Sequence, residues 1–233
     1  MTQKEKKQRA IDIAYALEQV YPDAECALEW GGTEPWRLLV MSRLSAQCTD
    51  KKVNTVSRPL FARYPSAEEM AEADISELED IIRPCGLYRM KAKNIRDSLR
   101  MLIDVYGGTL PSDMDELLSL PGVGRKIANL LRGDVFGLGG IVTDTHFIRI
   151  CGRLGFYPES EVDPRKIERL MTPYLPLELQ TDFCHRIVWF GREFCSSQSP
   201  KCGECPLSHL CEKHKKEQKS ANKEQKNERV KNK

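Results

Sequence analysis

Apolar residues recur along this chain with helical spacing. Between residues 5 and 20, Ala10, Ile13, Ala14, Leu17 and Val20 form one stripe, as in a helix that buries a single face. Pro35 suits the first turn of another helix, with Trp36, Leu39, Val40 and Leu44 on one side. Segments 67–82, 89–105, 113–119, 125–136, 144–154, 164–174 and 177–191 also suit helices. The breaks fall at Pro65, Pro84-Cys85-Gly86, Gly107-Gly108, Pro158 and Pro176. Ser112, with Asp115 three residues later, predicts a capping box. There is no regular alternation of apolar and polar residues and no Asn-Gly turn between β-branched runs, so strands are not expected. No repeat of fixed period is present. The pattern predicts an all-α protein of short helices with short connections.

A chain of 233 residues can bury a substantial core as one large or two small domains. No stretch is long and apolar enough to span a bilayer, so no membrane partner is expected. The start, Met1-Thr2-Gln3-Lys4-Glu5-Lys6-Lys7, has no apolar signal core and reads as an intracellular, cytoplasmic N-terminus. Cys26, Cys48, Cys85, Cys151 and Cys184 are scattered singly and are expected to be reduced and buried. The segment Glu212–Lys233 holds nine Lys/Arg and four Glu, a net +5, so residues 1–211 carry −3 against the whole chain's +2. This basic, disordered tail could hold a polyanion loosely or simply aid solubility.

Four cysteines, Cys195, Cys202, Cys205 and Cys211, have the spacing C-x6-C-x2-C-x5-C. Four thiolates in one short loop can surround a metal centre; by ligand type alone zinc and iron–sulfur both suit them. Upstream, Leu120-Pro121-Gly122-Val123-Gly124 separates two helices by a very short turn. Glycines there permit positive φ and close approach, and the next helix presents N–H groups that can grip phosphate without reading sequence. An ordinary helix corner is the alternative. Lys126 falls in that helix's first turn, where the helix dipole and Arg125 both disfavour an ammonium and favour a nucleophilic amine. Most lysines so placed are solvated surface residues. Asp144, in Ile141-Val142-Thr143-Asp144-Thr145-His146, can cap the helix that follows, and can also stabilise positive charge and move a proton. His146 is expected to be structural.

Taken in order, these features resemble the endonuclease III family of helix-hairpin-helix DNA glycosylases. The resemblance covers roughly residues 10–211. It rests on Leu44-Ser45-Ala46-Gln47-Cys48-Thr49-Asp50, on the hairpin with Lys126, on Thr143-Asp144-Thr145-His146, and on the cysteine loop. It implies a bifunctional glycosylase and abasic-site lyase, monomeric, acting on oxidised pyrimidines in damaged double-stranded DNA. Lys126 is then the nucleophile, forming a Schiff base with the sugar, and Asp144 the essential aspartate. Gln47 and Leu87 match the side chains that fill the gap left by the extruded nucleotide, although Leu87 also suits a core. Gly122, Val123, Gly124 and Arg125 would contact the DNA backbone. The cysteine loop would hold a [4Fe–4S] cluster and fix basic residues such as Lys201 toward phosphates. The implied fold is two all-α lobes with the active site between them. One lobe spans about 28–138, and the other joins 1–27 to 139–211.

Three positions depart from the family pattern. Arg43 falls on an apolar helix face and should be paired or reach a pocket. Thr143 replaces an apolar residue. Arg132-Gly133-Asp134 is expected to interrupt the second hairpin helix. An adenine-type monofunctional glycosylase would lack Lys126 and carry a further C-terminal domain. A non-catalytic helix-hairpin-helix DNA-binding iron–sulfur protein would not need both Lys126 and Asp144. An iron–sulfur redox sensor would need cluster oxidation to change DNA affinity.

Overall fold

The computed structural model describes residues 2–220, and among these there is no β-strand. The helices are α1 (Gln3–Val20), α2 (Pro35–Leu44), α3 (Asp50–Arg63), α4 (Ala67–Ala71), α5 (Ile75–Ile82), α6 (Tyr88–Tyr106), α7 (Met114–Ser119), α8 (Arg125–Phe136), α9 (Thr145–Leu154), α10 (Pro164–Met171) and α11 (Leu177–Glu193). The all-α expectation holds. No described helix is long and apolar enough to cross a membrane.

The chain divides into two compact units, Cys26–Gly140 and the described residues up to Glu25 with those from Ile141 onward. In the first, α6 is the central element, packing against α2, α4 and α5. Its buried positions Lys91, Ala92, Ile95, Ser98, Leu99 and Leu102 fall on one face at helical spacing. The core there gathers Leu38, Leu39, Leu60, Met70, Ile95 and Leu131. In the second unit, α11 packs on α1 and α9. Ile13 and Leu17 of α1 share a core with Phe147, Ile150, Phe183 and Phe190. The two aromatic rings Phe147 and Phe183 meet edge to face with centroids 5.9 Å apart.

Several local expectations need correction. Segment 67–82 is two helices, because Asp74 caps α5 by accepting from the N–H groups of Ser76 and Glu77. Helix α3 carries Pro59 in its interior, which hid it from the sequence pattern. The cap of α7 is Asp113, accepting from Asp115 and Glu116, rather than a Ser112 box. Helix α8 runs unbroken through Gly133, which is buried. Residues 212–220 are helical instead of disordered; the rest of the basic tail lies outside the described residues. No disulfide joins any of the nine cysteines; Cys85, Cys151 and Cys184 are buried, but Cys26 and Cys48 are only half-buried.

Candidate active site and cluster loop

The hairpin joins α7 to α8 within one unit. Leu120 accepts from the Val123 N–H at 3.0 Å, closing the turn, and Val123 is buried beneath it. Gly122 has φ +79°, which only glycine adopts without strain. Gly124, with φ −105°, is the N-cap of α8 and provides no side-chain cap. The first-turn N–H groups of α8 therefore lack a capping side chain of their own, and a Cβ built on Gly124 meets nothing within 4 Å. This open, N–H-lined turn has the form of a phosphate cradle. Lys126 is the second residue of α8 and is exposed, as are Gly122 and Arg125.

Arg43 lies beneath this turn. A Cβ on Gly122 would stand 2.7 Å from its Nε and 2.9 Å from its Cζ, with Asn94 Nδ2 also at 2.9 Å. Arg43, expected from its place on an apolar face to be paired or to reach a pocket, packs under the hairpin glycine. Its buried Nε has no hydrogen-bond partner, and burial holds its pKa below the ordinary arginine value.

Gln47 and Leu87 are the two non-glycine residues with positive φ among the described ones, at +53° and +49°. Both are exposed, Leu87 by 49%, which removes the core role that a leucine there could have had. Left-handed backbone costs a non-glycine residue about 1–2 kcal/mol, and such strain collects where a side chain must be presented in a fixed way.

In the other unit, Asp144 caps α9: its Oδ1 accepts from the Phe147 N–H at 2.7 Å. Thr143 before it is buried. His146 Nδ1 lies 3.1 Å from Arg149 Nη2, consistent with a structural histidine. Arg149 also donates to the Cys195 carbonyl from Nε (3.2 Å) and Nη2 (3.1 Å). Arg153 donates from Nη1 to the Ser196 carbonyl (2.7 Å) and from Nη2 to that of Ser197 (2.8 Å). Two arginines of α9 therefore hold the start of the cysteine loop. Arg9 of α1 holds its end, pairing with Glu212 at 2.8 Å and donating to the carbonyls of Leu154 and Leu210. That pairing keeps the Glu212 carboxyl below the usual range.

Cys195, Cys202, Cys205 and Cys211 line one small hollow, walled by Ile150, Leu154, Phe190 and Leu207. Burial pushes the Cys205 thiol up to about 11 and raises that of Cys202. Thiolates in such a place need a cationic centre to form. Arg153 Nη1 stands 3.3 Å from Cys195 Sγ, the N–H to sulfur contact that iron–sulfur groups employ. Donor set, apolar walls and N–H contact all fit an iron–sulfur cluster. Lys201 is exposed on this loop, tied through its backbone N–H to the Phe194 carbonyl at 2.8 Å.

Comparison with known proteins agrees with this geometry. Residues 40–176 match the family model described as HhH-GPD superfamily base excision DNA repair protein. Residues 195–211 match the iron–sulfur binding domain of endonuclease III. An endonuclease III from Synechocystis sp. is 44% identical over 207 residues, 88% of this chain and 93% of that protein. A solved non-covalent endonuclease III–DNA complex superposes with a TM-score of 0.84 at 41% identity, covering 94% of this chain and 99% of that one. A trapped endonuclease III–DNA covalent intermediate gives 0.83 at 40% identity, with coverage of 94% and 99%. Fold and matches define a helix-hairpin-helix protein of DNA base excision repair with an iron–sulfur domain. The chain belongs to the endonuclease III family. Its activity is that of a DNA glycosylase and abasic-site lyase, and its cofactor is a [4Fe–4S] cluster.

Proposed function

We propose that this enzyme acts as a monomer on oxidised pyrimidines in duplex DNA, with Lys126 as nucleophile and Asp144 as its electrostatic and proton-transfer partner. The observation that carries the reading is an exposed lysine at the start of α8, directly after an uncapped, N–H-lined hairpin. The damaged nucleotide leaves the stack, which costs a few kcal/mol. Gln47 and Leu87 fill the gap. The Lys126 amine donates its electron pair to C1′ to form a new N–C1′ bond; the glycosidic bond breaks, and the base departs with the pair of that broken bond and takes up a proton. The Asp144 carboxylate stabilises positive charge developing on the sugar and receives a proton released from the attacking amine. The sugar ring opens to a Schiff base. Loss of a C2′ proton then expels the 3′ phosphate, and water hydrolyses the imine to regenerate Lys126.

Gly122, Val123, Gly124 and Arg125 hold the DNA backbone through N–H groups and charge, which positions the duplex without selecting a sequence. Cys195, Cys202, Cys205 and Cys211 are the four ligands of the [4Fe–4S] cluster, which supplies a fixed loop carrying Lys201 toward phosphate. No step of base removal requires it.

Borohydride trapping tests this reading on duplexes containing thymine glycol or a preformed abasic site. Wild type should form a covalent adduct on both, and Lys126→Gln on neither. No wild-type adduct on either duplex would sink the lysine mechanism. An adduct on the abasic duplex alone would keep the lyase and reject the oxidised-pyrimidine assignment.

A further inference from the structure

The two strained residues Gln47 and Leu87 lie on separate loops, one after α2 and one before α6. One side chain joins those loops. Lys91, fully buried, donates from Nζ to the carbonyl of Leu44 at 2.8 Å and to that of Cys85 at 2.8 Å. Leu44 is the last residue of α2, and Cys85 the last of a 3-10 turn, Arg83–Cys85. Carbonyls at helix ends lack intrahelical partners and attract cations. The local backbone N–H groups bond elsewhere: Ser45 to Met41, Ala46 to Arg43, Cys48 to Ser45 and Gly86 to Arg83. The Lys91 ammonium therefore caps two helix ends at once, three residues before Gln47 and two before Leu87. Its own main-chain N–H bonds to the Leu87 carbonyl at 3.0 Å.

A buried lysine is costly unless its charge is solvated by the protein. An aliphatic side chain would fill the same space without that cost. What only the ammonium supplies is a fixed separation between the two carbonyls. We propose that Lys91 is a positioning residue that locks the Gln47 and Leu87 loops into one rigid unit, so that both side chains enter the duplex in register during nucleotide extrusion. This rests on the reading of Gln47 and Leu87 as the residues that fill the gap.

The test compares rates on two substrates. One is duplex thymine glycol, whose removal needs extrusion; the other is an abasic site in single-stranded DNA, where there is no stack to open. Lys91→Met, checked for folding by circular dichroism, should lose about tenfold more rate on the duplex lesion than on the single strand, since small misplacements cost rates of this order. Lys91→Gln, which keeps an N–H for one carbonyl, should lose less, and carries the comparison if Lys91→Met does not fold. Added to Gln47→Ala/Leu87→Ala, Lys91→Met should produce no further selective loss, because the residues act as one unit. Equal loss on both substrates would mean a merely structural lysine and would overturn the proposal. Selective loss in Gln47→Ala/Leu87→Ala without any in Lys91→Met would overturn the Lys91 role alone. No selective loss in Gln47→Ala/Leu87→Ala would overturn the reading of the loops on which it rests.

Discussion

Asp144 caps α9 and, in the proposed reaction, also partners the nucleophilic amine; substitution can separate the two. As N-cap of α9 it needs only a short acceptor, and asparagine serves nearly as well. As the partner of a nucleophilic amine it needs a negative charge. Asp144→Asn should therefore change unfolding free energy by only a few tenths of a kcal/mol, while single-turnover base removal falls by about 10²–10⁴. Asp144→Ala should add about 1 kcal/mol of lost stability to the same kinetic defect. Equal base-removal rates in wild type and Asp144→Asn would reduce the residue to a helix cap. Both duties were open from the sequence, since an aspartate before a helix looks the same whichever it performs. Lys91 was not legible at all. Lysine in an amphipathic helix reads as a solvated residue, and only the fold brings two orphan carbonyls to its ammonium. The strain at Gln47 and Leu87 was equally hidden; the resemblance marked those positions, but no local pattern announces a leucine in left-handed backbone.

At the level of elements, the hairpin separates glycine as conformation from glycine as open space. Gly122→Ala forces a side chain into positive φ, at about 1–2 kcal/mol, and directs its methyl at the Arg43 guanidinium and Asn94. Urea unfolding should show at least that loss. Gly124→Ala meets no atom and needs no unusual φ, so its cost should stay near about 0.5 kcal/mol from a poorer cap. Its methyl nevertheless stands on the open face where backbone would approach, and affinity for duplex DNA should weaken about tenfold. Unchanged affinity in Gly124→Ala would move the phosphate contact away from this turn. Helix boundaries follow the same division between local and tertiary control. The turn residues Gly107 and Gly137 end their helices in left-handed conformation as glycines near helix ends do. Gly133 stays inside α8, where the packing of a buried face outweighs its poor propensity, and α3 continues through Pro59 for the same reason.

Across the whole molecule, two separate cores are held by different means. The Cys26–Gly140 unit is held by interdigitated aliphatic residues, many fully buried, and its hydrogen-bonding clamps are internal. The unit containing α1 and α9–α11 has a compact core too, but its cysteine loop is held by arginine contacts to carbonyls and, on the proposed ligand set, by the cluster. On the proposed ligand set, loss of one cysteine should leave three half-buried thiols without their centre, in a place where burial already disfavours thiolate. Cys205→Ser should therefore lose the visible absorbance of the cluster. By amide hydrogen exchange it should also lose protection from Phe194 through Leu210 and in the α9 turn around Arg153. Amides of α6 near Ile95 and Leu99 should exchange as in wild type, because local opening is confined to the segment whose contacts are removed. Loss of protection throughout α6 would instead mean that the cluster stabilises the chain as one cooperative body. Retained protection in the loop would mean that Arg9, Arg149 and Arg153 suffice to hold it, and that the cluster's contribution lies elsewhere than in folding.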